Sequence, residues 1–355
     1  MASAQHKIVQ WVVYKDAGIE GLKLETHDAL LQATLGKHDC LVRLEAVSLN
    51  YRDVAIPTGI YQRYTRPQYI PCSDAAGVVL DVGSSVTQFK PGDKVCPTFF
   101  QDFETGYLTP AGQESSLGGK TDGVLRSETV FQEKGLTKIP STLSVQEAST
   151  LPCAAVTAWN SLFGLEGRKV KSGDYVLTEG TGGVSIFAIQ FALAVDANVI
   201  ATTSSASKGN RLKAMGVQHV INYKKDENWG ETAKKLTTHG LGVNHVVEVG
   251  GSGTLNQALK AIRMEGVISL IGFLSGNSAK SETSLWDAIT SLCIVRGVNV
   301  GSKAQFQEMN KFIEEHNIKP VVDPETFPFE KAREALLYLQ AQKQWGKVVI
   351  DGYKH

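Results

Sequence analysis

Cysteine is scarce in this chain. Five residues (Cys40, Cys72, Cys96, Cys153, Cys293) are scattered along 355, with no C-x-x-C spacing. An odd and dispersed set excludes a disulfide framework, and it predicts reduced thiols in a cytoplasmic protein. Long hydrophobic runs are missing too. No apolar stretch approaches the ~20 residues that span a bilayer, and Met1–Lys7 lacks the apolar core of a signal peptide. Neither membrane insertion nor secretion is expected. No charge of one sign is in excess: Lys and Arg number 36, as do Asp and Glu, so no field attracts nucleic acid or an anionic membrane. Internal repeats and low-complexity tracts are absent. What remains is an ordinary globular composition, 42% hydrophobic and 20% charged, on a chain long enough for two domains.

The most informative segment is a glycine turn. The apolar run Tyr175–Thr178 enters Glu179-Gly180-Thr181-Gly182-Gly183-Val184-Ser185, and a long apolar stretch, Ile186–Val195, leaves it. A strand, a glycine turn and a helix start in that order present backbone N–H groups to a pyrophosphate. A glycine pattern alone is a weak signal, and its context carries this one. A second apolar run, Asn198–Thr203, follows at the distance a βαβ unit requires. The third glycine position is Ser185, small enough for close helix–strand packing. Gly180, Thr181, Gly182, Gly183 and Val184 are therefore the expected dinucleotide contacts.

A local absence then selects the dinucleotide. Enzymes that use the unphosphorylated cofactor place Asp or Glu at the end of the second strand, against the ribose 2′-hydroxyl. From Ala197 to Lys225 this chain has no acidic residue, while Ser204, Ser205, Lys208 and Arg211 lie there. Hydroxyls and cations bind a 2′-phosphate that a carboxylate would repel. NADPH is the expected cofactor, with Ser204, Ser205, Lys208 and Tyr223 around the phosphate. Lys213 and Lys225 read as a solvated helix face.

The first ~150 residues read as β-rich, with alternating runs such as Cys40–Val47 and Ala76–Gly83 broken by turns such as Lys90-Pro91-Gly92-Asp93. Phe99–Lys120 reads as a long irregular loop, of the kind that is functional or mobile. Ser144–Phe163 is helical in character, with Ser144 as N-cap and Glu147 three residues on. Strands and helices then alternate: Tyr175–Thr178, Val199–Thr203, His219–Asn222, Val243–Val249 and Val267–Ile271, which means a parallel sheet covered on both faces. A helix over Ala304–His316, the segment Phe327–Gln340 and a last strand, Gly346–Ile350, close the chain and are expected to return to the first domain.

Several motifs, in order over roughly 300 residues, resemble the zinc-free, quinone-oxidoreductase-like branch of the medium-chain dehydrogenases/reductases. They include Asn50-Tyr51-Arg52-Asp53 with Gly59-Ile60-Tyr61, Asp74-Ala75-Ala76-Gly77-Val78-Val79, and Val86–Val95. Leu117-Gly118-Gly119, Leu151-Pro152-Cys153-Ala154-Ala155-Val156-Thr157, the glycine turn, Gly272-Phe273-Leu274-Ser275-Gly276 and Gly346-Lys347-Val348-Val349 complete the set. The resemblance implies an α/β protein with a β-rich GroES-like catalytic domain (1–155 and 302–355) and a Rossmann cofactor domain (156–301), the active site lying in the cleft between them. It also implies a homodimer paired through the last strand of the cofactor sheet, over Arg296–Gly301. Thr157, Gly272, Phe273 and Lys347 are expected along the cofactor.

Zinc-dependent relatives hold their metal with a Cys, a His-Glu pair and a second Cys. The corresponding positions here are Asn50, Ser73-Asp74 and Cys153, so one thiol survives of a site that needs three protein ligands. No metal is expected, and Cys153 reads as a small buried hydrophobe. Without a Lewis acid an alkoxide is hard to form. Hydride transfer from NADPH to a quinone or an enone asks less of the protein, since the acceptor spreads the incoming charge onto oxygen. The expected function is a small-molecule NADPH-dependent reductase of an activated carbonyl or conjugated C=C. Its candidate catalytic groups are Tyr61, Asn50, Arg52 and Asp53. Tyr61 either donates to the substrate oxygen or covers the nicotinamide as an aromatic. Asn50 and Asp53 either act directly or brace their loop. A short-chain reductase is excluded, because no tyrosine has a lysine four residues later. An alcohol dehydrogenase or carbonyl reductase of the same superfamily, and a cofactor-binding protein without turnover, remain as alternatives.

Overall fold

A computed structural model of the chain describes residues 7–14, 17–28, 35–61, 64, 66–272, 283–284 and 286–354. It divides into two compact units, one of Met1–Val156 with Gly301–His355 and one of Thr157–Val300.

The second unit carries a six-stranded parallel sheet. Its strands are β1 (Tyr175–Glu179), β2 (Asn198–Thr203), β3 (His219–Asn222), β4 (Val243–Glu248), β5 (Ile262–Leu270) and β6 (Ile294–Gly297). Their order across the sheet is β3-β2-β1-β4-β5-β6, which is the Rossmann order, with the crossing point between β1 and β4. The central strands read as nearly continuous apolar runs because both faces are covered, and Leu177, Ile200 and Ile268 have no exposed surface. Each such side chain contributes roughly 1.5–3 kcal/mol by leaving water. Helix α1 (Gly183–Ala194) is apolar all round, and Ile186, Phe187, Ile189 and Phe191 on it are all buried. The strand expected over Arg296–Gly301 lies earlier, at Ile294–Gly297. Val298 N still donates to Leu270 O, but Val300 takes a φ of 55°, which ends the extended run.

The first unit is antiparallel in its greater part. Its central strand, Asp39–Ser48, pairs with Asp74–Val82, with Glu128–Gln132 and with the returning strand Lys347–Asp351. The returning strand in turn pairs in parallel with Val322–Phe327, so the C-terminal segment is an inner strand of this sheet. Phe99–Lys120 is more ordered than a long mobile loop. Phe99, Phe100, Ser116 and Leu117 are buried, and Pro110–Glu114 forms a helix capped by the Thr109 hydroxyl. The helical segment after Ser144 is split. Val145–Ser149 is α-helical with the expected Ser144–Glu147 capping box, Leu151–Ala155 widens into a π turn, and Val156–Phe163 resumes the α-helix. Pro152 cannot donate to the helix ladder, and the widened turn frees the next amide, Cys153 N, for another partner.

Among the described residues, no helix is long and apolar enough to cross a membrane.

Candidate active site

At the end of β1 the backbone of Gly180 turns to a φ of 72°, a conformation that favours glycine, and its N–H donates to Thr202 O at the end of β2 (2.9 Å). Gly182 caps α1. A Cβ built on Gly180 or on Gly182 would meet no atom within 4 Å, so the turn faces open space with the first N–H groups of a 12-residue helix behind it. This is room and polarity suited to a pyrophosphate. Ser185, at the third glycine position, is buried, and its hydroxyl donates to Glu179 O at 2.6 Å. It fastens the helix start to the strand end as well as fitting the gap.

Beyond β2, Ser204 is exposed, and Asn222 Nδ2 donates to its carbonyl (3.3 Å), which brings the segment entering Tyr223 alongside. Ser205 is the N-cap of α2 (Ala206–Ala214): its Oγ accepts from Lys208 N at 3.3 Å, so part of its hydroxyl capacity is already committed. Lys208 stands in the first turn of that helix. Gly272 follows β5 and lies against the loop after β4, where an added Cβ would come within 2.7 Å of Val249 O. Gly180–Val184, Ser204, Ser205, Lys208 and Gly272 therefore share the C-terminal edge of the sheet. Thr157 is buried at the start of the helix over Val156–Phe163, which packs on α1 through Trp159 and Phe191. Phe273 lies outside the described residues.

The first unit holds a buried polar cluster assembled from four separate segments. Asn50 precedes the short helix Tyr51–Ala55, and its N–H donates to Asp53 Oδ2 at 2.8 Å. Its side-chain Oδ1 accepts from Lys347 Nζ at 2.5 Å, while its Nδ2 is buried with no hydrogen-bond partner among the described residues. Lys347, expected along the cofactor, directs its ammonium into this unit. The same Nζ donates to Leu49 O at 2.6 Å and lies 3.6 Å from Asp74 Oδ2, all three residues being buried. Asp74 also accepts from Ser73 Oγ (2.7 Å) and from Cys153 N (3.1 Å), the amide freed by the π turn.

Arg52 and Asp53 are buried beside them, 3.8 Å apart. The guanidinium lies over the rings of Phe99 and Tyr64, 4.8 and 5.5 Å from their centroids, and donates to Leu117 O at 2.7 Å. Burial pushes the Asp53 carboxyl up to about 6, against the opposing pull of Arg52 and of the Asn50 N–H. Tyr61 stacks on Tyr64 with ring centroids 6.0 Å apart. Burial raises its phenol to about 12, which keeps it a proton-bearing donor at neutral pH. The Cys153 thiol is likewise pushed up to about 12, first by burial and then by Asp74.

Residues 36–141 match the family model described as alcohol dehydrogenase GroES-like domain, and residues 183–315 the one described as zinc-binding dehydrogenase. A zinc-type alcohol dehydrogenase-like protein of Schizosaccharomyces pombe is 41% identical over 96% of this chain and 99% of its own length. The chain belongs to the medium-chain dehydrogenase/reductase family. Within that family, the chloroplastic NADPH-dependent alkenal/one oxidoreductase of Arabidopsis thaliana is 28% identical over 98% of this chain and 81% of its own. The crystal structure of a putative alcohol dehydrogenase from Sinorhizobium meliloti 1021 superposes with a TM-score of 0.87 at 36% identity, covering 99% of this chain and 100% of that one. A family member so matched is an α/β oxidoreductase with a GroES-like and a Rossmann-type unit, and the family works with nicotinamide cofactors.

The donor set in the first unit does not fit the zinc ion of zinc-dependent members. Asn50 offers a carboxamide already engaged by an ammonium, Ser73 a hydroxyl donating to Asp74, and Cys153 a neutral thiol. Zinc takes thiolate, neutral imidazole or carboxylate, and a cation 3.6 Å from the one carboxylate present competes for it. Among the described residues no group of three or more His, Cys, Asp or Glu side chains stands where it could hold a metal ion.

Sequence reasoning missed two features. One is the set of partners that closes round Arg52, namely Phe99, Leu117 and Tyr64, which only the folded loop supplies. The other is Glu179 with Glu248, buried carboxyls at the ends of β1 and β4. A signal for them existed: each is the single acid closing an otherwise uncharged or apolar run that leads into glycines.

Proposed function

We propose that the protein is an NADPH-dependent reductase that delivers hydride to an activated carbonyl or conjugated C=C without a metal ion. The observation that carries this reading is Asn50. Lys347 holds its Oδ1 and Asp53 holds its backbone N–H, which leaves Nδ2 as a fixed, buried and unpartnered donor. An unpaired buried N–H costs about 1–3 kcal/mol, and a substrate oxygen that gains negative charge would satisfy it. Tyr61, its phenol proton retained, is the second donor and the candidate proton source. Bound NADPH would supply the hydride. Asn50 Nδ2 and Tyr61 orient the acceptor oxygen, and the Arg52 and Lys347 cations favour the charge that develops on it.

On the cofactor side, the acid-free end of β2, with Ser204, Lys208 and Tyr223, supports NADPH over NADH. The alkenal/one reductase relative supports an enone acceptor, while the putative alcohol dehydrogenase relative supports alcohol oxidation. Purified protein offered quinones and enones with NADPH, and simple alcohols with NADP, separates the two. Oxidation of alcohols with inert quinones and enones overturns the reading. Elemental analysis without added metal should find far less than one zinc per chain. Tyr61→Phe removes only the hydroxyl, and a fall of about tenfold in kcat is expected for general-acid assistance; an unchanged rate makes Tyr61 a packing residue.

We infer further that the protein is a cytoplasmic homodimer. All five cysteines are free. The edge strand β6 lies beside exposed Trp286 (75%), Ile289 (59%), Leu292 (53%) and Met264 (64%), an apolar group that suits a second copy of this chain. Sedimentation of Trp286→Asp as a monomer, against a dimeric parent, is the expected result.

A further inference from the structure

Glu179 and Glu248 end β1 and β4, the two strands between which the sheet reverses, and both are buried, at 5% and 0% exposure. Neither is spent on a cation. Glu179 Oε2 accepts from Val249 N (3.2 Å) and Gly250 N (3.1 Å). Both oxygens of Glu248 accept from Gly251 N (2.9 and 3.0 Å), and its Oε1 accepts from the Thr254 hydroxyl. Together the carboxyls hold three consecutive amides of the loop after β4. Glu179 is the residue just before the glycine turn, and its own carbonyl receives the Ser185 hydroxyl from the start of α1.

One atom is left over. Among the described residues, buried Glu179 Oε1 has no donor, and the Glu248 carboxyl, which holds the next amide of the same loop, is its charged neighbour. Two carboxylates cannot hydrogen-bond; a carboxyl and a carboxylate can. Burial, followed by the charge of Glu248, pushes the Glu179 carboxyl well above the usual carboxylate range, and burial raises Glu248 as well. Among the described residues, the surrounding elements supply no counter-charge. Helix α1 and strand β2 carry no charged side chain, and neither does Val249–Gly253. On the helix Leu255–Ala261, Lys260 faces Glu231, and Arg263 and Glu265 of β5 are exposed, the latter paired with Arg168.

We propose that Glu179 and Glu248 hold one proton between them and act as positioning residues, a latch that fixes the glycine turn to the loop after β4, so that dinucleotide affinity depends on that proton. With the proton in place, the turn keeps its open face at the start of α1. Without it, two adjacent buried carboxylates repel, and the turn and the loop separate. The inference rests on the turn being the dinucleotide site.

The test uses the whole chain and Glu179→Gln, whose amide keeps an acceptor for the loop and replaces the shared proton by a fixed N–H. Kd values for NADPH and for NADH are measured by fluorescence from about pH 5 to about pH 10, where a required proton would raise Kd about tenfold per pH unit once it is lost. The expected result is such a rise for both cofactors in the parent and a flat profile, within about twofold, in E179Q. Using both cofactors separates the latch from titration of the 2′-phosphate. Infrared spectra of the parent without cofactor provide a second reading, in which a protonated-carboxyl band fades over the same pH range; this needs no variant to fold. Equal pH profiles in parent and E179Q, or no such band, overturn the latch while leaving the cofactor site standing. Binding of neither cofactor at any pH overturns the reading of the turn, and the latch with it.

Discussion

The candidate pyrophosphate turn in the second unit is built almost wholly of backbone, from one short stretch of chain. The polar cluster in the first unit is held by side chains, drawn from residues near 50, 74, 153 and 347. A backbone site needs only that the chain can take the required φ angles and that nothing fills the space, which Gly180 and Gly182 provide. The side-chain cluster needs every partner present, because a missing one leaves charge or a donor unpaired in a dry interior. The first kind of site tolerates side-chain change that leaves its glycines and their supports in place. The second fails as a unit.

The largest test of that contrast is Lys347→Met, which keeps the volume and removes the ammonium. It strips Leu49 O, Asn50 Oδ1 and Asp74 of a shared partner. Breaking a buried pair of this kind costs about 3–5 kcal/mol, and the midpoint of denaturant unfolding should fall accordingly, with NADPH affinity changed by less than about threefold. A large loss of NADPH affinity at near-normal stability would instead make Lys347 a cofactor contact and blur the division between the two sites.

Next in size is Asp53. Its folded-state value of about 6 lies above the ordinary 3.8, so between these the folded chain keeps a proton that the unfolded chain has released. The stability this group confers therefore falls as pH rises from about 4 to about 6, by up to about 3 kcal/mol, and is level above that. Unfolding free energies of the parent and Asp53→Asn should differ by an amount that declines across that window. A constant difference would mean the cluster is wetter than its burial implies.

Lys208→Glu probes the other site. It should weaken NADPH by about 1.5–3 kcal/mol, ten- to a hundredfold, and leave NADH nearly untouched. Equal losses for the two cofactors would remove the ribose phosphate from α2. The smallest expected effect is that of Ser205→Ala, about 1 kcal/mol from the lost helix cap. NADPH affinity that falls with it, while NADH affinity holds, would show one hydroxyl serving both cap and phosphate.

The same contrast decides which features are legible in the sequence. The glycine turn, the strand after it and the acid-free stretch are local, and their physics is contained in a few consecutive residues. Ser144 and Glu147 announce their capping box for the same reason. Lys347 is different. Gly346–Ile350 reads as a strand, but which neighbour receives its ammonium depends on Asp39–Ser48 lying alongside, some 300 residues away in sequence. Likewise, nothing near Arg52 indicates that Phe99 and Leu117 will close over it. The split of the helix at Leu151–Ala155 is within reach of the sequence, since Pro152 cannot donate; that the freed Cys153 amide meets Asp74 is not.

The returning strand has one more consequence, which concerns synthesis. Lys347–Asp351 is an inner strand, flanked on both sides, and Lys347 bonds across 298 positions to Leu49. During translation the second unit has all its strands outside the ribosome while Asp39–Ser48 still waits for this partner. The first unit is therefore last to close, although it is first to emerge. For that interval it presents an unpaired strand edge and an unfilled apolar interior, the state in which nascent chains associate wrongly.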